Sequence, residues 1–130
     1  MKYIVDTHIL LWYSEGGNKL SNDILFLLNS NPSDIYISQA TFWEITIKKS
    51  LGKLNLISSV SDFYYKAIEN SFLVLHFDAD TYRVLEELPQ FHQDPFDRII
   101  ISQAISKNFT IITQDQKFKF YEELVPILWN

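Results

Sequence analysis

Four acidic residues of this chain occupy positions from which carboxylates can hold a metal ion. Asp6 closes the apolar run YIVD, and Asp115 comes just after the run TIIT. Glu44 lies inside QATFWEITIKKSL, and Asp97 inside HQDPFDRIIISQAI. Oxygen donors without thiolates suit a hard cation, Mg2+ or Mn2+ rather than Zn2+. Carboxylates that hold such ions can serve phosphodiester hydrolysis, in which the metal activates water, polarises the phosphoryl group and stabilises the leaving oxygen. The chain has no cysteine, which excludes disulfides, thiolate metal sites and a Cys nucleophile. His8, His76 and His92 lack ligand spacing; His76 reads as a strand residue and His92 as loop. No Ser-His-Asp order, glycine-rich phosphate loop or helical metalloprotease motif is present.

Each acid also has a purely structural reading. Asp6 at a strand end is an ordinary N-cap for a following helix. Glu44 can pair with Lys48 one turn later. Asp97 can sit at the third helical position and reach back to a capped N-terminus. Helical periodicity weighs against leaving it there. Ala40, Trp43, Ile47 and Leu51 fall along one stripe, and Glu44 lies within it. An unpaired carboxylate there costs on the order of several kcal/mol and needs a cation or a proton. Ile100, Ile101, Ala104 and Ile105 form the stripe of the next such helix, and Asp97 extends it at the N-terminal end. Asp94 and Pro95 stand where that helix begins, so Asp94 reads as the cap and Asp97 as the site residue.

The elements that must position these acids follow from the apolar runs. Strands are expected at 2–6, 35–38, 73–77 and 110–113, with a short edge strand in VPILW. Helices are expected over 7–14, 20–30, 39–53, 58–72, 78–89 and 94–108, with a short helix or turn in QDQKFKFYEE. Strands alternating with helices predict an α/β fold with a mainly parallel sheet of four to five strands and helices on both faces. Ligands then gather outside the carboxyl ends of the strands, where Asp6 and Asp115 fall.

The 130 residues suffice for one domain, 1–130, and 47% of them are apolar, which fits a well-filled core. Three Gly and four Pro leave little room for a linker. The N-terminal apolar run is too short to span a bilayer, and no cleavage site follows it. No membrane association and a cytoplasmic location are therefore expected. The net charge of −5 counts against a passive nucleic-acid binder, but not against an enzyme that clusters acids around a cation.

The segments YIVDTHILLW, SQATFWEITIKKSLGKL, HQDPFDRIIISQAI and TIITQD, in this order, resemble the PIN domain, and most of all the VapC-like toxins of toxin–antitoxin pairs. The resemblance spans nearly the whole chain. It implies a three-layer α/β/α sandwich and a Mg2+- or Mn2+-dependent endoribonuclease. Asp6, Glu44, Asp97 and Asp115 match the family's four acids. Thr7 and Thr113 fall where the family has small hydroxyl residues, and Asp94 matches a position typical of members with DPFDR. RNA as substrate, a small antitoxin as partner and a homodimer are likewise implied.

Lys48, Lys49, Lys53 and Arg98 are candidates to meet RNA phosphates, although a solvated helix face is the better reading of Lys49 and Lys53. Trp12, Tyr13, Phe26, Phe42 and Trp43 read mainly as core, with one or two available to line a partner groove. The rival reading is a non-catalytic binding module or a phospho-acceptor switch. Against it, Asp6 lacks an adjacent second acid.

Overall fold

The computed structural model describes residues 1–130. Five strands, β1 (Tyr3–Val5), β2 (Ile35–Ser38), β3 (Leu73–Leu75), β4 (Thr110–Thr113) and β5 (Ile127–Trp129), form one sheet in the order β3-β2-β1-β4-β5. Every neighbouring pair runs parallel. Six α-helices lie between them: α1 (Thr7–Ser14), α2 (Asn22–Ser30), α3 (Gln39–Ser50), α4 (Val60–Glu69), α5 (Ala79–Glu87) and α6 (Pro95–Lys107). Short 3-10 turns, Pro32–Asp34 and Gln116–Tyr121, precede β2 and follow β4. The expected α/β class holds, with five strands and VPILW supplying the edge. No helix is long and apolar enough to cross a membrane.

Alternation along the strands divides the core in two. Val5, Ile35, Ile37 and Ile112 pack with Ile9, Leu10, Ile24, Leu28 and Phe63 on one face of the sheet. Ile4 and Ile111 pack with Ile100, Ile101, Ala104, Phe118 and Tyr121 on the other. Both faces are covered, so the strands read as unbroken apolar runs. Full burial of each such Ile or Leu contributes about 1.5–3 kcal/mol. Gln103, fully buried on α6, accepts from Ser38 Oγ at 2.5 Å and donates to the Leu75 carbonyl at 3.1 Å. It ties α6 to the ends of β2 and β3.

From β1 the chain builds outward to β2 and β3 on one side, and to β4 and β5 on the other. The carboxyl ends of β1 and β4 therefore flank the crevice at which strand order reverses.

Helix α3 presents a different face from the one its periodicity suggested. Trp43 and Leu51 are 53% and 62% exposed, while Ala40, Thr41, Glu44 and Ile45 are buried. The helix contacts α1, α4 and α6, so its inward face is set by three neighbours instead of one apolar stripe. Trp43 packs edge-on against Phe96 at 5.3 Å between ring centroids. Past Lys49 the chain turns at Gly52, whose φ of 71° lies in the left-handed region, and Lys53 N–H closes onto the Lys48 carbonyl at 2.8 Å.

Helix α6 starts as its sequence indicated. Asp94 Oδ1 accepts from the Phe96 and Asp97 amides at 2.9 and 3.1 Å, and Pro95 is the first helical residue. This geometry separates capping from charge. Asp94→Ala is expected to lose about 1 kcal/mol of stability relative to Asp94→Asn, because asparagine keeps the capping oxygen. Urea denaturation of the two variants measures that difference.

Candidate metal centre

Asp6 stands directly after β1, and its own amide still donates to the Ile112 carbonyl at 3.0 Å. It caps α1, with Oδ1 accepting from the Ile9 amide at 3.0 Å. Its Oδ2 accepts from the Thr113 hydroxyl. Thr113 Oγ1 in turn accepts the Asp115 amide at 3.0 Å, and Asp115 Oδ1 caps the following turn through the Lys117 amide at 2.9 Å. One hydroxyl at the end of β4 thus holds both strand-end acids in register.

Glu44 arrives from α3 and is 4% exposed. Thr7 donates to its Oε1 at 2.7 Å, and Lys48 Nζ lies 2.5 Å from its Oε2. Thr7 Oγ1 also sits 3.2 Å from Thr41 Oγ1, so the first turn of α1 and the first turns of α3 meet at this carboxylate.

Asp97 arrives from the first turn of α6 and meets a residue that spacing had not marked. His92 Nε2 is 2.7 Å from Asp97 Oδ2. His92, Asp97 and Asp115 offer ligand atoms that all lie within 4.8 Å of one another. The sequence carried no periodic signal for His92, because the loop before α6 has no repeat to read. What positions it is long-range. The His92 amide donates to Tyr121 Oη at 2.9 Å, and Tyr121 Oη donates to the Pro89 carbonyl at 2.6 Å.

Arg98 belongs to the same lock, which corrects its expected role at the phosphate. Its Nη1 donates to the carbonyls of Pro89 and His92 at 3.0 and 3.2 Å, and its Nη2 to the Leu88 carbonyl at 3.2 Å. Arg98 is buried, and its guanidinium is spent on loop carbonyls that would otherwise lack donors. Lys49 is likewise engaged, donating to the Ser58 carbonyl at 2.5 Å.

The electrostatics follow from burial and then from crowding. Asp97 is pushed up to about 8, first by burial and then by the charges of Asp94, Asp6, Glu44 and Asp115. Burial also raises Asp6, against the opposing hydrogen bond from Thr113. Burial lowers His92. Lys48 is held above its usual range, chiefly by its hydrogen bond to Glu44. Five carboxylates therefore share a crevice with a single ammonium in direct contact. The donor set fits a divalent cation, because opposite charge is what ionised carboxylates at this density lack.

The PIN domain family model matches residues 3–124. The chain belongs to the PIN domain family. No curated protein matches it in sequence. Among solved structures it is similar to VapBC2 from Rickettsia felis bound to a promoter DNA fragment, with a TM-score of 0.73 and 21% identity over 99% of this chain and 98% of that one. It is similar to the DNA-bound VapBC of Salmonella typhimurium, with a TM-score of 0.72 and 19% identity over 99% and 98% of the two chains. VapBC-1 from nontypeable Haemophilus influenzae gives 0.67 and 19% over 100% and 97%. At these identities the likeness is one of fold.

In this PIN chain the raised Asp97 has a thermodynamic signature. Its proton is held more tightly in the folded state, so ionisation opposes folding between the ordinary value of 3.8 and about 8. In EDTA, Asp97→Asn should therefore be more stable than wild type, by a margin that grows from pH 4 to pH 8 and then levels off, reaching a few kcal/mol. Urea denaturation across that range measures the margin. A margin independent of pH would contradict the raised Asp97.

Proposed function

We propose that the chain is a metal-dependent endoribonuclease and the toxin of a toxin–antitoxin pair, acting on RNA in the cytoplasm. The observation that carries this reading is the gathering of Asp6, Glu44, Asp97 and Asp115 about the β1 and β4 strand ends, where burial first, and then the neighbouring charges, push Asp97 up to about 8. Asp97 and Asp115, whose ligand atoms lie with that of His92 within 4.8 Å, would hold Mg2+ or Mn2+ together with Asp6 and Glu44 beside them, and the His92 nitrogen favours Mn2+ over Mg2+. When bound, such an ion supplies a low-pKa water and polarises the phosphodiester.

The chain's own residues set the stage. Thr113 fixes Asp6 and the start of the Asp115 turn, and Thr7 fixes Glu44. His92 and Asp97 share a short contact through which a proton can be held or passed. The Arg98–Tyr121 lock keeps that histidine at the crevice.

A groove of about 740 Å³ supports the antitoxin half of the reading. Leu10, Tyr13, Leu56, Phe63, Ala67 and Phe72 line it between α1 and α4. Its apolar floor suits the hydrophobic side chains of a short partner segment. Tyr13 thus serves a groove wall, whereas Phe42 is core and Phe26 is 72% exposed elsewhere. The phospho-acceptor alternative fits less well, since Asp6 is 3% exposed and has no adjacent second acid.

Asp6→Asn and Asp97→Asn are each expected to lower Mn2+-dependent RNA cleavage by at least about 100-fold, and to abolish growth arrest on induction, with the far-UV circular dichroism of the fold retained. Asparagine at position 6 still caps α1, so loss of activity would report the charge. Purified Asp6→Asn that cleaves RNA as fast as wild type would overturn the assignment. Thr113→Val is a milder test. It leaves every acid in place but frees Asp6 Oδ2 and the Asp115 amide, and should weaken Mn2+ binding about 10- to 100-fold by calorimetry.

A further inference from the structure

Lys48, one of the cations expected to meet RNA phosphates, is held in the fold by its contact with Glu44. Of the eleven lysines and arginines, it alone puts its charged atom against one of the four site acids. Its side chain is 41% exposed, against 5% for Glu44. It therefore spans the boundary between the crevice floor and solvent. The charges of Asp94 and Asp97 also reach it, so it lies near the acids of α6 as well as on its own helix. An i, i+4 pair on an open helix surface would have neither property.

The two oxygens of Glu44 are not equivalent. Oε1 is fixed by Thr7, and Oε2 is held only by Lys48. A divalent ion taken up by Glu44 needs an oxygen and repels an ammonium. Lys48 is thus the group that must yield Oε2. Its four-carbon stem lets the ammonium move several ångströms while remaining at the mouth of the crevice. What enters that mouth, on the nuclease reading, is a phosphodiester anion.

We propose that Lys48 exchanges partners. It neutralises Glu44 Oε2 in the metal-free chain, and on metal loading it turns to a non-bridging oxygen of the scissile phosphate. There it is a catalytic residue, opposing the negative charge that grows on the phosphoryl oxygens as water attacks. The inference rests on the nuclease reading and adds a residue to it. With Arg98 committed to loop carbonyls, Lys48 is the cation placed for this task.

The test pairs two readouts on Lys48→Met, which keeps helix propensity and stem length. Mn2+ affinity is measured by calorimetry without RNA, and RNA cleavage is followed at saturating Mn2+. The exchange predicts opposite changes. Mn2+ should bind about fivefold more tightly, since its competitor is gone, while kcat falls about 100-fold with KM changing less. Lys48→Arg should recover most of the kcat. Weaker Mn2+ binding by Lys48→Met would overturn the proposal in favour of a residue that merely orients Glu44. An unchanged kcat would overturn the phosphate contact. If wild type binds Mn2+ yet cleaves no RNA, the nuclease reading itself fails and takes the phosphate contact with it. An affinity unchanged by Lys48→Met would defeat the exchange alone.

Discussion

Burial of mutually repelling carboxylates at the β1 and β4 strand ends is the constraint around which the rest of the molecule is arranged. Raising Asp97 from 3.8 to about 8 spans roughly four pKa units, on the order of 5 kcal/mol against ionisation. A helix cap contributes only about 1 kcal/mol, and an exposed ion pair less. Local capping therefore cannot be the reason the acids gather. The fold tolerates the cluster because two packed cores, one on each face of the sheet, supply stability elsewhere. Hydroxyls and one ammonium then hold the acids in place without neutralising them fully. Such a site is strained in charge, and a bound divalent cation, as proposed above, would relieve the strain.

Much of this was legible from residue order. Parallel strands buried on both faces leave unbroken apolar runs, and the alternation with helices fixed the class. Asp6 and Asp115 were visible as strand-end acids, and Asp97 as an acid continuing the stripe of α6. Glu44 was picked out for a sound reason attached to the wrong stripe. Its burial is real, but Trp43 and Leu51 lie outside. A single-stripe pattern assumes one apolar neighbour, whereas α3 is wedged among α1, α4 and α6.

His92 and Arg98 were not legible, and for one shared reason. Their environment is made by the loop Leu88–His92 folding back onto Tyr121, a contact between segments about thirty residues apart. Periodicity carries no information about such closures. In sequence the histidine resembles solvent-facing loop and the arginine resembles a free cation. In the fold the arginine satisfies three loop carbonyls, and the histidine that the loop carries is thereby delivered to Asp97. A charge next to a site acid in sequence supports the site from behind, and an unmarked loop residue faces it.

The structural and chemical readings of the acids were never true rivals, because a carboxylate has two oxygens. Asp6 uses Oδ1 to cap α1 while Oδ2 faces Thr113 at the end of β4. Asp115 caps its turn through Oδ1 alone. Glu44 gives Oε1 to Thr7 and only Oε2 to Lys48. Fixing one oxygen removes the rotamer freedom of the other, so the contact that looks merely structural aims the group. The same division runs along DPFD. Asp94 spends its oxygen on the first amides of α6, and the helix so started carries Asp97 one turn on, beside His92 and Asp115. Caps and pairs at this site are therefore the means by which the sequence turns ordinary folding contacts into a preorganised arrangement of carboxylates.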